Sequence, residues 1–357
     1  MKRQKASFTR SLAFAVILAA VLAAFFANKK AEPRGVVSNV EPAEVMVGSI
    51  SFGAKENSSK FNHYIECMNR QSKRAYDSYN RYLSWVNKET GPIGNEKVVY
   101  GLYTLYDIES CEAGIRDAAG MAPKEPELQT LAGGFLSALS TLSVVIEEAD
   151  RYYDQKDYLD DKMKKGKILH IKLMDAFTAF IEIDQKLRHK INQEKGEANA
   201  TIIQEWNQKG VKGELLVEET VTLSRELCEM TWNKPLVSIE LEPLTKAVDL
   251  LEAKTNALEK ISQSTTIKWS INTYLDKCQR MLKAAKALKR RVRDNKPYNN
   301  SEEIRLKHAA SWTVEGSPFQ LRRTFNDLAR VFNQLELEPK PVQSLFIPNY
   351  QTEAVNL

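Results

Sequence analysis

The chain has 357 residues, 27% of them charged and 43% hydrophobic, and its 51 basic against 46 acidic side chains give a formal charge of +5 at pH 7. Lys2, Arg3, Lys5 and Arg10 supply four of those charges with no acid among the first ten residues, so about +1 remains for the rest. A near-neutral body of interspersed signs lacks the basic field that nucleic-acid binding requires, which excludes nucleic acid as a partner.

The first element is the uncharged apolar run Leu12 to Ala27, followed by Asn28, Lys29 and Lys30. A positive stretch ahead of an apolar one is an export signal, and the positive-inside rule keeps the first residues in the cytoplasm. Sixteen residues at 1.5 Å each make a helix of about 24 Å, short of the roughly 30 Å hydrocarbon core, which favours a cleaved signal peptide. The end of the run, Ala24-Phe25-Phe26-Ala27, puts a bulky Phe at the cleavage positions, while Ser11, Asn28 and the snorkelling lysines lengthen the span. Residues 1–28 are therefore read as an inner-membrane anchor through 12–27, with cleavage to a soluble periplasmic product as the alternative. Residues 29–58, with Pro33, Pro42 and several Gly and Ser, read as a flexible spacer.

Helical periodicity then takes over. Asn57, Ser58 and Ser59 offer N-caps, and Phe61, Ile65, Met68, Ser72, Ala75, Tyr79, Tyr82 and Val86 form the seam of a first helix that Gly91-Pro92 stops. Gly94-Asn95 caps a second, with Val98, Leu102, Leu105, Ile108, Cys111 and Ile115 on its stripe to Gly120, and so short a connection predicts an antiparallel hairpin. Pro123 and Pro126 open a third, through Leu128, Phe135, Leu142 and Tyr152. Its Gly133-Gly134 predicts close approach by another backbone. After the polar turn 154–161 comes a long fourth helix, Leu169 through Ile191 and on through Trp206 to Gly210. Leu216 to Met230, Leu244 to Ile261, and Ile267 to Val292 give three more, and Ser317-Pro318 opens a last one through Leu335. Sustained period-two alternation is absent. The fold class is all-α, a multi-helix bundle of long antiparallel amphipathic helices spanning 59–335, with 336–357 as a loose or docked tail.

Several stretches carry a resemblance: Tyr64-Ile65-Glu66-Cys67, then Trp85, Gly91-Pro92, Gly94, Glu96, Tyr100-Gly101, Tyr103 and Cys111-Glu112. Further on come Tyr152-Tyr153 with Tyr158 and Asp160-Asp161, Gly166-Lys167 with Leu169-His170, Pro297-Tyr298, and Ser311-Trp312 with Val314-Glu315. Over about residues 60 to 335 the chain resembles the YiiG-like family of lipoprotein-type bacterial envelope proteins. The resemblance implies a helical, exported domain of unknown function and carries over no catalytic residue. One departure is that no Cys precedes Cys67, so the signal-end lipidation site is missing and the apolar helix itself is the anchor.

Four exported cysteines allow three pairings. In the hairpin as read, Cys67 and Cys111 differ in height by about 9 Å at 1.5 Å per residue, beyond the roughly 7 Å reach of a bridge unless the second helix begins later. Both lie in stretches that resemble the family, and on that ground Cys67–Cys111 is the expected disulfide, with Cys228 and Cys278 as buried thiols.

Catalytic signatures are lacking. Asp150, Asp154, Asp157, Asp160 and Asp161 near His170 have the oxygen ligands a divalent cation uses, but without EF-hand spacing, and a solvated turn ahead of a helix explains them as well. His63, His170, His189 and His308 are scattered with no zinc pattern, so no metal site, cofactor or triad is assigned. Lys283, Lys286 and the set Lys289, Arg290, Arg291 and Arg293 suit a helix C-terminus; contact with an anionic surface is the functional alternative. Tyr76, Tyr79, Tyr82, Trp85, Tyr100, Tyr103 and Tyr106 read as core and core rim, or as pocket lining. The expectation is a non-enzymatic, membrane-tethered envelope protein that binds a partner protein or wall component. The alternative is a solute- or metal-binding module or cryptic hydrolase, for which Tyr100, Tyr103, His170, Asp160 and Asp161 would have to converge.

Overall fold

The four-three spacing of apolar residues gives helices each with one face to bury, and the computed structural model shows how they are buried for residues 44–232, 234–264, 271–307 and 310–348. The apolar run 12–27, the first part of the spacer, Ile267, His308 and the end of the tail lie outside the described residues. In chain order the helices are α1 (Glu44–Leu83), α2 (Ile108–Gly120), α3 (Pro126–Asp154), α4 (Tyr158–Asp161), α5 (Lys164–Lys209), α6 (Lys212–Thr231), α7 (Leu241–Ser264), α8 (Ile271–Arg293), α9 (Asn300–Lys307) and α10 (Pro318–Asn333). No strand occurs among the described residues.

Two cores form. In the first, α1, α2, α3 and the front half of α5 bury Phe61, Ile65, Tyr76, Phe135, Leu139, Phe177 and Phe180. In the second, α6, α7, α8 and α10 bury Val221, Leu251, Tyr274, Met281, Phe325 and Phe332. The 46-residue α5 spans about 69 Å at 1.5 Å per residue and carries a third small cluster, Ile202 and Trp206. Gly210, at φ +67°, closes it with backbone bonds from the cap, because an L side chain resists the left-handed turn that the helix end uses. Ser317 caps α10 by accepting the Gln320 N–H, with Pro318 at the first helical position, as its Ser-Pro sequence predicts.

Among the described residues α3 is long and apolar enough to cross a membrane by length and composition. It nevertheless buries ten side chains, and it packs along α5 as a core helix does. The close approach at Gly134 comes from a side chain rather than a backbone: Ile183 Cδ1 of α5 would lie 3.1 Å from an added Cβ. Polar groups hold α1 to the other side of α5. Asp184, fully buried, accepts from Ser72 Oγ at 2.6 Å, Tyr76 Oη at 2.7 Å and Arg188 Nε at 2.7 Å. A buried carboxylate needs that many donors to offset desolvation.

Two readings are corrected. α1 begins at Glu44, inside the segment read as spacer. The second helix begins at Ile108 rather than near Gly94, and 94–107 is an extended segment. Its backbone is satisfied by side chains of α1 and of the turn just after it instead of by its own turns: Arg81 Nε donates to Tyr100 O, Trp85 Nε1 to Gly101 O, Arg74 Nε to Thr104 O, and Gln71 Nε2 to Tyr106 O and Asp107 O. Tyr103 N donates back to Ser78 Oγ. The segment thus runs antiparallel to α1 and delivers Cys111 beside Cys67, where the two form a disulfide with Cα atoms 4.8 Å apart. The later helix start is what removes the height mismatch. Cys228 and Cys278 are buried free thiols, as expected.

The tail is docked. Val342 and Leu345 join the first core while Phe346 and Ile347 pack against the second. Its backbone is met by asparagines: Val342 N donates to Asn199 Oδ1, Gln343 N to Asn62 Oδ1, Ser344 N to Asn333 Oδ1, Phe346 N to Asn69 Oδ1 and Ile347 N to Asn326 Oδ1. Arg188 and Arg225 donate to Phe346 O and Leu345 O.

Candidate binding cleft

The outer face of α1 is polar because the opposite stripe is spent on the core. With 94–107 on one side and α10 and the tail on the other, it floors an open cleft of about 1810 Å³. Tyr100, Tyr103 and Tyr106 stand 51%, 42% and 57% exposed and line it, and Trp312, Arg323 and Arg330 line the far wall. Seven cationic side chains and three carboxylates contribute to the lining: Arg70, Lys73, Arg74, Arg81, Lys88, Arg323 and Arg330 against Glu66, Asp77 and Glu89.

Some of these charges are already matched. Arg70 pairs with Asp107, Lys73 with Asp77, and Arg323 and Arg330 with Asp327. Arg74 and Arg81 differ. Each gives its Nε–H to a main-chain carbonyl and lays its plane on a tyrosine, Arg74 4.0 Å over Tyr106 and Arg81 4.5 Å over Tyr103. Stacking and hydrogen bonding fix the orientation of each fork; neither fork is hydrogen-bonded to a carboxylate, although the Arg81 charge also acts on nearby Asp150. Arg81 also donates to the Tyr103 hydroxyl at 3.1 Å. Gln71 Oε1, buried in the same lining, accepts no hydrogen bond from the protein.

The residues singled out for an alternative pocket do not converge. His170 is buried, with Nε2 3.0 Å from Lys88 O and Nδ1 3.1 Å from Tyr82 Oη. A carbonyl only accepts, so Nε2 carries the proton and Nδ1 accepts from the tyrosine. Burial holds the imidazole below its ordinary pKa. Its ring underlies Gly91, where an added Cβ would meet it at 2.9 Å and where φ is +70°, so His170 props the turn after α1. Asp161 accepts from Tyr152 Oη and from Lys165 N, securing the start of α5, while Asp160 is exposed. Among the described residues no group of three or more His, Cys, Asp or Glu is placed to hold a metal ion. In the basic run, Lys289 pairs with Asp249 at 2.8 Å, Arg293 with Asp294 at 2.7 Å, and buried Arg291 with Glu302 at 2.6 Å beneath Tyr298. Arg290 is exposed.

Sequence reading put Tyr100 and Tyr103 among candidate residues and Tyr106 in the same aromatic set, but missed Arg74, Arg81 and Trp312 as their partners in the lining. A signal was available: tyrosines at a strict interval of three, flanking Gly101 at φ +65°, do not follow the four-three alternation of a helical stripe.

Residues 55–334 match the family described as "Protein of unknown function (DUF3829)". The chain belongs to that family. It is also 28% identical over 292 residues to the "Uncharacterized protein YiiG" of Escherichia coli (strain K12), an alignment covering 77% of this chain and 78% of that protein. No solved structure matches the chain. The family region holds the floor and most of the walls of the cleft, from α1 and the tyrosine segment to Trp312 and α10, and stops before the docked tail that adds Gln343 and Phe346.

Proposed function

We propose that the chain is a non-catalytic binding protein of the bacterial cell envelope, anchored in the inner membrane through residues 12–27, whose cleft holds a partner protein or wall component. The observation that carries this is the pair Arg74 and Arg81, oriented by tyrosine stacking and main-chain bonds toward an open cleft with no protein carboxylate bonded to either. Its address is supported by the positively flanked apolar run and by the Cys67–Cys111 bridge, which suits an oxidising compartment. The non-catalytic reading is supported by the dispersal of His170, Asp160 and Asp161 into separate structural contacts.

Site-specific photo-crosslinking in cells tests it. A photoreactive phenylalanine at Tyr103 should form adducts with envelope material that the same residue at Val144, exposed on α3, does not form. Identical adducts from both positions, or none from Tyr103, would remove the cleft as the working surface.

A further inference from the structure

We infer that the ligand of the cleft is an extended peptide segment bearing carboxylates about three residues apart, docked along α1; this rests on the cleft being the binding surface. The outer face of α1 already reads two extended stretches of its own chain by their backbones. On one side Arg74, Arg81 and Gln71, with Trp85 from the turn just after the helix, donate to carbonyls of residues 100–107. On the other, Asn69 accepts Phe346 N at 2.7 Å and donates to Ser344 O at 3.0 Å. A side-chain amide that accepts and donates to residues two apart treats the tail as a neighbouring strand would, independently of its side chains. Asn69, Asn333, Gln343 and Phe346 also line the cleft, so the trough that holds the tail opens directly into it.

Charge and spacing then narrow the occupant. Arg74 and Arg81 are two helical turns apart, about 10.5 Å along α1. An extended peptide in the polyproline II conformation advances about 3.1 Å per residue with three residues per turn, so every third side chain falls on the same face and meets the next arginine. Arg74, held by its Nε and by one stacked face, offers its remaining N–H edge, and Arg81, which also gives Nη1 to the Tyr103 hydroxyl, offers Nη2, both suited to a carboxylate. Arginine cover on Tyr103 and Tyr106 takes one face of each ring from stacking with a sugar, and the trough continuous with the cleft already holds a peptide, the chain's own tail. A peptide is therefore favoured over an acidic glycan.

The test uses the full-length chain in detergent and fluorescence anisotropy with three labelled probes: a twelve-residue Glu-Ser-Thr repeat, the same repeat with Gln for Glu, and a uronic-acid oligosaccharide of equal charge. The Glu peptide should bind at least tenfold more tightly than either of the others. Arg74→Gln with Arg81→Gln should weaken it at least tenfold, and Arg116→Gln, exposed on α2, should leave it within twofold. Should the double Gln variant melt early, Arg74→Lys with Arg81→Lys keeps the charge but loses the fork, and weakening by threefold or more carries the same conclusion. The inference is overturned if the Gln peptide or the oligosaccharide binds as well as the Glu peptide, if none binds, or if the arginine variants retain full affinity. Those failures leave the Tyr103 adducts intact, whereas failure of the cleft itself removes the adducts as well.

Discussion

Breaking the Cys67–Cys111 bridge by replacing both residues with alanine is expected to cost about 4 kcal/mol. The two cysteines are separated by 44 residues, and the chain-entropy relation for a loop of that length gives about 13 cal/mol/K, or about 4 kcal/mol at 25 °C. Both positions are almost fully buried, so trimming the sulfurs acts in the same direction. For roughly 300 cooperating residues, an unfolding entropy near 2.1 cal/mol/K per residue turns that loss into a drop of about 6 °C in Tm. The closed loop contains the rest of α1 and the whole tyrosine segment, so the cleft should loosen first. Urea unfolding followed by circular dichroism measures the stability, and limited proteolysis reports on the segment. The variant should show a lower midpoint, a steeper m-value because its unfolded state is less restrained, and faster cleavage within 94–107. A loss below 1 kcal/mol with unchanged m and unchanged cleavage would refute the assignment of the loop as a restraint on the unfolded chain and on the cleft wall.

His170 supplies a pH dependence: its folded pKa is depressed below the ordinary 6.5 by burial, so the stability it contributes is complete above 6.5 and declines as pH falls through the folded value. An NMR titration should find this imidazole below 6.5, and the urea midpoint should fall between pH 7 and 5 by more in the native chain than in His170→Gln. Asn69→Ala should cost about 1–3 kcal/mol by orphaning Phe346 N. Because Asn69 and Asn333 both donate to the Ser344 carbonyl, the double alanine variant should lose more than the sum of the two, and strict additivity in a double-mutant cycle would count against a shared acceptor. Gly316→Ala should destabilise by more than 1 kcal/mol, since φ is +68° and the new Cβ would lie 2.9 Å from Ala287 O; an unchanged Tm would show that this turn relaxes freely.

Most helices were legible because their apolar stripes are long and their ends carry local signals such as Gly210 and Ser317-Pro318. The stretch 94–107 was misread because Leu102 and Leu105, both buried at 5%, suit a helix or an extended chain laid on α1. What decided between them was a set of acceptors and donors on another element, invisible to local periodicity. The 9 Å disagreement at the cysteines did point to the error. The cleft was half legible, Tyr100 and Tyr103 being in view while the arginines that orient them looked like ordinary surface charge. The asparagines that bind the tail were illegible, since a lone amide on a helix face looks the same whether it meets water or a backbone some 280 residues away.

That separation has a bearing on how the chain reaches its final state. Asn62 and Asn69 belong to the first of the described helices to leave the ribosome, yet their backbone partners at Gln343 and Phe346 are 281 and 277 residues downstream. Synthesis proceeds from the N-terminus, and contacts of such span are the slowest to close. The first core can therefore collapse around Phe61, Phe135 and Phe180 well before its last polar demands are met. Seating of the tail is then the closing step of assembly, and a chain that stops short of Val342 leaves α1 with amides waiting for a backbone that never arrives.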